Sequence, residues 1–314
     1  MKISVIGAGN VGASCATVIA EKELGNEVVL LDIKKGIAEG KALDINQMAP
    51  LALFDTKTIG VTDDYAATAN SSVVVIAAGI SRKPGMNRED LITTNAQIVK
   101  NITERAIQAS PNAIFVVVTN PLDAMAYCAL KAAKIPSNRV IGMGGLIDSA
   151  RYRSYIAEEL KCSPKDIQAI ILGGHGDHMV PISRYTTVCG SPVSQLMSKE
   201  KLEAIISRTR LGGSELMNLM GISAWVAPGY GAARMVEAIV LDQKRYFPCS
   251  TYLNGQYGLK DIFFGVPVKL GKTGVEDILE LDLNEKEKIL VKQSADSIKA
   301  TIKMLYKQNI LENN

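Results

Sequence analysis

Two histidines occur in the 314 residues, and both sit in one stretch, Gly173-Gly174-His175-Gly176-Asp177-His178. Taking a proton from an alcohol, or returning one to a carbonyl, requires a base that titrates near neutral pH, and imidazole is the usual choice. If either histidine has that task, His175 is favoured, because its flanking glycines let the backbone crowd a small ligand. A histidine in a glycine loop is more often structural, so this motif alone decides nothing. Asp148 and Arg151 stand three residues apart, which places a carboxylate and a guanidinium on one helix face. The carboxylate can orient an imidazole and stabilise its cation, and the guanidinium can grip a substrate carboxylate through two parallel bonds. A local ion pair would account for the same spacing. More basic groups, Arg82, Lys83 and Arg88, lie in a Gly/Pro-containing loop at residues 80–90 (ISRKPGMNRED). That loop leaves an apolar strand at its carboxyl end, where open α/β sheets bind ligands, and Asn120 occupies a corresponding strand end. No further histidine or paired cysteine stands by to complete a metal site around His175, Asp177 and His178, so no metal is expected.

A second motif, Gly7-Ala8-Gly9-Asn10-Val11-Gly12, follows an apolar strand and opens a helix. Glycines at this spacing permit a tight turn, close approach of a pyrophosphate and close helix–strand packing, while the helix N-terminus offers free N–H groups to the phosphates. Asp32 ends the second strand twenty residues after Gly12, the spacing expected of a carboxylate that holds ribose hydroxyls. The expected cofactor is NAD rather than NADP, whose 2′-phosphate this carboxylate would repel.

Four nearly continuous apolar runs, at residues 2–7, 27–33, 72–77 and 113–118, read as strands covered on both faces, as in a parallel sheet. Leu91, Ala96, Ile98, Val99, Ile102, Ala106 and Ile107 mark one face of a helix that Ser110-Pro111-Asn112 ends. Strand, helix and strand with short connections predict an α/β fold, a Rossmann-type doubly wound parallel sheet. From Gly144 the pattern changes. Residues 148–161 and 202–220 read as helices, 167–172 as a strand, and 252–268 as turn-rich strand. In the last helix Val291, Ala295, Ile298, Ile302 and Leu305 repeat at helical spacing, and Asn284 with Glu287 resembles a capping box. The expected organisation is a cofactor domain over 1–143 in close contact with an α+β substrate and catalytic domain over 144–314.

Hydrophobic residues make up 47% and charged residues 21%, which excludes a disordered chain. A net charge of +3 is too small for a nucleic-acid or membrane-surface footprint, and no apolar run is long enough to span a membrane. Five scattered cysteines suit free thiols in a reducing compartment, and without a signal-peptide pattern the expected location is cytoplasmic.

Taken in order, GAGNVG, LDI with Asp32, AAGISRKPGMNR, NAQIV, VVTNPLD, IDSARYR and GGHGDHMVP make the chain resemble the lactate/malate dehydrogenase superfamily over nearly its full length. Within it the likeness is strongest to malate dehydrogenases built like lactate dehydrogenases. The resemblance implies that His175 is the acid/base, Asp148 its partner and Arg151 the grip on the shared carboxylate. It implies that Arg88 polarises the keto carbonyl from a mobile loop and that Asn120 hydrogen-bonds in the same pocket. Gly7, Gly9, Asn10, Val11, Gly12, Asp32, Asn95, Val118 and Asn120 would meet the NAD cofactor. It further implies a homotetramer or homodimer.

Arg82 is the position at which this superfamily separates its substrates, with arginine in malate dehydrogenases and glutamine in typical lactate dehydrogenases. A second substrate carboxylate can pair with Arg82, whereas pyruvate would leave it uncompensated at a cost of about 2–5 kcal/mol. (S)-Malate and oxaloacetate are therefore the expected small-molecule substrates. Ser81, Gly144-Gly145-Leu146-Ile147, His178 and Ile222-Ser223-Ala224-Trp225 depart from the family pattern. They remove no catalytic group, and they leave open lactate or broad 2-hydroxyacid turnover by the same machinery. An NAD-dependent glycosidase would need metal ligands, and a non-catalytic NAD sensor would have no use for His175, Asp148 and Arg151.

Overall fold

The computed structural model describes residues 1–81 and 87–312. Its first half alternates strands and helices: β1 (Lys2–Ile6), α1 (Asn10–Glu21), β2 (Glu27–Asp32), α2 (Ile37–Ala52), β3 (Lys57–Thr62), β4 (Val73–Ile76), α3 (Arg88–Ala109), β5 (Ile114–Val117), α4 (Leu122–Ala133) and β6 (Val140–Gly142). These six strands are all parallel and lie in the order β3-β2-β1-β4-β5-β6. The order reverses between β1 and β4, which opens a crevice at their carboxyl ends. Every residue of β4 and β5 is buried, as the unbroken apolar runs require of strands with helices on both faces.

The second half contains α5 (Gly145–Leu160), the short strands β7 (Ile167–Gln168), β8 (Ile171–Leu172), β9 (Val180–Pro181), β10 (Thr187–Val188) and β11 (Ser191–Pro192), then α6 (Lys199–Met220) and α7 (Val226–Val240). A meander of β12 (Arg245–Asn254), β13 (Lys260–Gly271) and β14 (Gly274–Ile278) precedes α8 (Glu285–Lys307). β12 pairs antiparallel with β6, so the parallel sheet grows to nine strands. The single strand expected over 167–172 is two: β7 pairs with β10 and β8 with β9, in different small sheets. The chain changes partner at Ala169-Ile170, and the Ile171 N–H is met partly by Ser149 Oγ at 3.2 Å.

Several polar bonds fix where α8 lies. Asn284 and Glu287 form the full capping box, and Arg184 grips the same Glu287 carboxylate through Nε at 3.0 Å and Nη2 at 2.8 Å. The Tyr127 hydroxyl on α4 donates to Asp261 on β13 and meets the Tyr306 hydroxyl of α8 at 3.0 Å. Together these pin α8 near both of its ends, and its middle carries Ser294, which meets the histidine loop. Replacing the cap, Asn284→Ala, is expected to cost about 1 kcal/mol of stability. A shift in the denaturant midpoint at unchanged slope checks this, and an unmoved midpoint would contradict it.

Candidate active site

Asp148 is the buried centre of the site. It lies on the first turn of α5, 1% exposed, and its Oδ2 is 2.8 Å from Nδ1 of His175. Its other oxygen, Oδ1, is 3.5 Å from Nη1 of Arg151 on the next turn. One carboxylate thus joins the imidazole to the guanidinium, as the sequence spacing allowed. With Nδ1 facing Asp148, Nε2 is the nitrogen left for a substrate proton. The Arg151 side chain has room because Gly212 of α6 faces it: a Cβ there would stand 2.2 Å from Arg151 Cδ.

The His175 loop is stitched down from three sides. Gly173 exchanges backbone hydrogen bonds with Gly265 of β13, at 2.9 and 3.2 Å. Gly174 N–H donates to Ser294 Oγ of α8 at 2.9 Å, and His175 N–H donates to Asp123 Oδ2 of α4 at 3.0 Å. Burial alone drives the imidazole pKa down, but the adjacent Asp148 carboxylate, with a smaller contribution from Asp123, more than offsets this. Arg151 opposes the rise, and the net result is a pKa above the ordinary histidine value of 6.5. His178, by contrast, is exposed.

Arg88 is the first residue of α3, where Asn87 caps the helix by accepting from Asp90 N–H at 2.8 Å. It lines a cavity of about 200 Å³ together with Asp123, Gly174, His175, His178 and Ser294. Arg151 joins the cluster through Asp148 rather than through that lining. Asn120 is exposed at the end of β5. Arg82 and Lys83 lie outside the described residues. Asn95 is 2% exposed, and its amide is taken up by Ile80 N–H (2.8 Å), Ile80 C=O (3.2 Å) and Asn120 C=O (2.8 Å). Its side chain therefore shapes the two loops rather than presenting a free polar group. Asp123 and Ser294 are the site residues that the sequence reading did not single out.

At the crevice between β1 and β4, Gly7 has φ +103° and a Cβ on it would stand 2.5 Å from Ala78 N, so glycine is required there. On Gly12 a Cβ would stand 1.9 Å from the Gly7 carbonyl oxygen. A Cβ on Gly9 would meet nothing within 4 Å, and no side chain caps α1, whose first residues are Asn10 and Val11. Open space thus stands before uncapped N–H donors, which suits a pyrophosphate. The Asp32 carboxylate accepts from Ala8 N–H at 2.7 Å and Lys34 N–H at 2.9 Å, and each oxygen keeps a lone pair for a ribose hydroxyl. Val118 is half-buried on the β5 side of the crevice.

This sheet and this cluster define a dinucleotide-binding α/β protein with a histidine–carboxylate pair held beside its cofactor crevice. The chain belongs to the lactate/malate dehydrogenase family. Residues 1–142 match the model of the family's NAD binding domain, and residues 146–308 match that of its alpha/beta C-terminal domain. The malate dehydrogenase of Cytophaga hutchinsonii is 58% identical over 97% of this chain and 98% of its own. The crystal structure of malate dehydrogenase from Salinibacter ruber superposes with a TM-score of 0.95 at 48% identity, covering 98% of this chain and 99% of that one. A lactate dehydrogenase from Cryptosporidium parvum, complexed with lactic acid and nicotinamide adenine dinucleotide, gives a TM-score of 0.93 at 38% identity, covering 97% and 98%. No helix among the described residues is long and apolar enough to cross a membrane.

The raised His175 pKa carries a stability consequence. Its contribution is fully present below the unfolded histidine value of 6.5 and is lost as pH rises through the higher folded value. The melting temperature should accordingly fall as pH rises above about 6.5, relative to a variant without the effect. In Asp148→Asn, burial of the neutral ring dominates, so that slope should be flat or reversed. Calorimetry of both proteins across this range checks the claim, and identical slopes would contradict it.

Proposed function

We propose that this chain is a malate dehydrogenase, which moves a hydride reversibly between NAD and (S)-malate/oxaloacetate. The observation that carries the reading is the single buried carboxylate, Asp148, that bonds both His175 and Arg151. When bound, NAD supplies the nicotinamide that accepts or returns the hydride. In the oxidising direction His175 Nε2 takes the hydroxyl proton, and Asp148 stabilises the imidazolium that forms. In the reducing direction the imidazolium returns that proton to the carbonyl oxygen. Arg151 holds the carboxylate next to the reacting carbon, Arg88 polarises the carbonyl and Asn120 adds a hydrogen bond. Asp32 and the glycine turn hold the cofactor. Residues 1–143 supply the cofactor crevice and 144–314 most of the catalytic groups, a division of labour that belongs to the same proposal.

The names of the relatives at 50–58% identity support malate over lactate, and Arg82 gives the chemical reason. A dicarboxylate brings a second negative charge for that guanidinium, whereas pyruvate does not. The α2 side of the molecule leaves Leu43, Leu51 and Leu53 exposed, which supports a homodimer or homotetramer that covers them. Five free cysteines support a reducing, cytoplasmic setting.

NADH oxidation with oxaloacetate and with pyruvate, at matched concentrations, tests the substrate. Oxaloacetate should be preferred by at least about thirtyfold in kcat/KM, the ratio equivalent to the lower end of the charge penalty. Preference for pyruvate would overturn the malate assignment in favour of a lactate dehydrogenase. In Arg82→Gln the preference should collapse, through lower oxaloacetate turnover and higher relative pyruvate turnover. Unchanged selectivity would remove Arg82 from the role given to it.

A further inference from the structure

His175 has a second acidic neighbour on a different element. Asp123, one position into α4 after Leu122, is 5% exposed in a helix whose other first-turn residues are apolar or small. Its Oδ2 accepts the His175 main-chain N–H at 3.0 Å, and its Oδ1 accepts the hydroxyl of Ser250, on β12, at 2.6 Å. Ser250 is the residue through which β12 pairs with Gly142 of β6, so the strand that extends the parallel sheet also supplies this donor. A buried carboxylate is costly unless its oxygens are paired, and here each receives a hydrogen bond.

We propose that Asp123 is a positioning residue for His175: its buried carboxylate ties the histidine main chain to α4 and presents a second negative charge to the imidazolium. The inference rests on the reading of His175 as the acid/base of the reaction. Among the described residues, the charged groups that face the imidazole are Asp148 and Arg151 from α5 and Asp123 from α4. Arg88, Asp177 and His178 line the adjoining cavity, to which α8 contributes the uncharged Ser294, Ser297, Ile298 and Thr301. Burial, with a smaller contribution from Asp148, leaves the Asp123 pKa raised overall, while Ser250, the His175 N–H and the imidazolium itself act in the opposite direction, favouring the anion. The two hydrogen bonds therefore help to keep the charge that supports the imidazolium, and Ser250 acts on His175 through Asp123.

The presence of two histidines in the chain makes the test direct. The full-length protein, labelled in its histidine rings, gives two imidazole titrations by NMR, and His178→Gln assigns them. In Asp123→Asn, which keeps the shape and can keep both hydrogen bonds, the His175 pKa should fall by about half a unit or more, with His178 unmoved. The falling limb of kcat/KM for oxaloacetate reduction, which needs the protonated ring, should move to lower pH by the same amount. Ser250→Ala, which changes no formal charge, should lower the His175 titration in the same direction by weakening the anionic form of Asp123. This variant serves as the test should Asp123→Asn not fold. An unmoved His175 titration in either folded variant overturns the proposal. Failure of the wild-type protein to reduce oxaloacetate would instead overturn the reading of the reaction, and would leave the titration result standing.

Discussion

A carboxylate buried to 1% exposure and placed 2.8 Å from an imidazole is the constraint on which the rest of the site depends. An isolated anion at that depth would be expensive, so Asp148 must have partners, and His175 and Arg151 are those partners. The pairing decides the tautomer, leaving Nε2 unengaged by the carboxylate, and it favours the imidazolium, by lifting the imidazole pKa above its ordinary value. Much of the second half of the chain can be understood as support for that contact. α5 carries Asp148 and Arg151, Gly212 on α6 leaves room for the guanidinium, and β13 with α8 clamps the glycine loop that carries the histidine.

The parallel sheet supplies the other half of the geometry. Its strand order reverses between β1 and β4, and the loops that follow β1, β4 and β5 gather at one edge. The first carries the glycine turn, the second leads to Arg88, and the third leads through Asn120 to Asp123. Asn95 ties the second of these loops to the third through Ile80 and Asn120. Addition of β12 to β6 then brings Ser250 under Asp123, so the cofactor crevice and the histidine are anchored to one continuous sheet. A hydride can pass only between atoms held nearly in contact, and a shared rigid sheet is a direct way to hold them so.

Elements whose burial is written into local pattern were legible in the sequence. β1, β2, β4 and β5 are apolar runs, α3 and α8 show helical spacing, and the Asn284–Glu287 box is readable from three residues' separation. β3 (KTIGVT) was not read as a strand, because half of it is polar and its pairing with β2 is a tertiary fact. α2 and α7 carry internal prolines and glycines that blur their period: Gly40 and Pro50 in one, Pro228, Gly229 and Gly231 in the other. In the site, residue types with few alternatives were readable: two histidines, a glycine turn, an acid twenty residues on. Asp123 was not, since an acid in a helix's first turn is usually an ordinary solvated charge. The available signal was that its neighbours in the first turns of α4 are apolar.

The proposed role of His175 is to carry the proton in an NAD-linked reduction of a 2-keto acid. His175→Gln tests it most directly, with turnover measured by NADH oxidation and cofactor binding measured separately by NADH fluorescence. In this variant kcat for oxaloacetate should fall by about a hundredfold to ten-thousandfold while NADH binds as before. Turnover within a few-fold of the wild type, in a variant that still binds NADH, would contradict it.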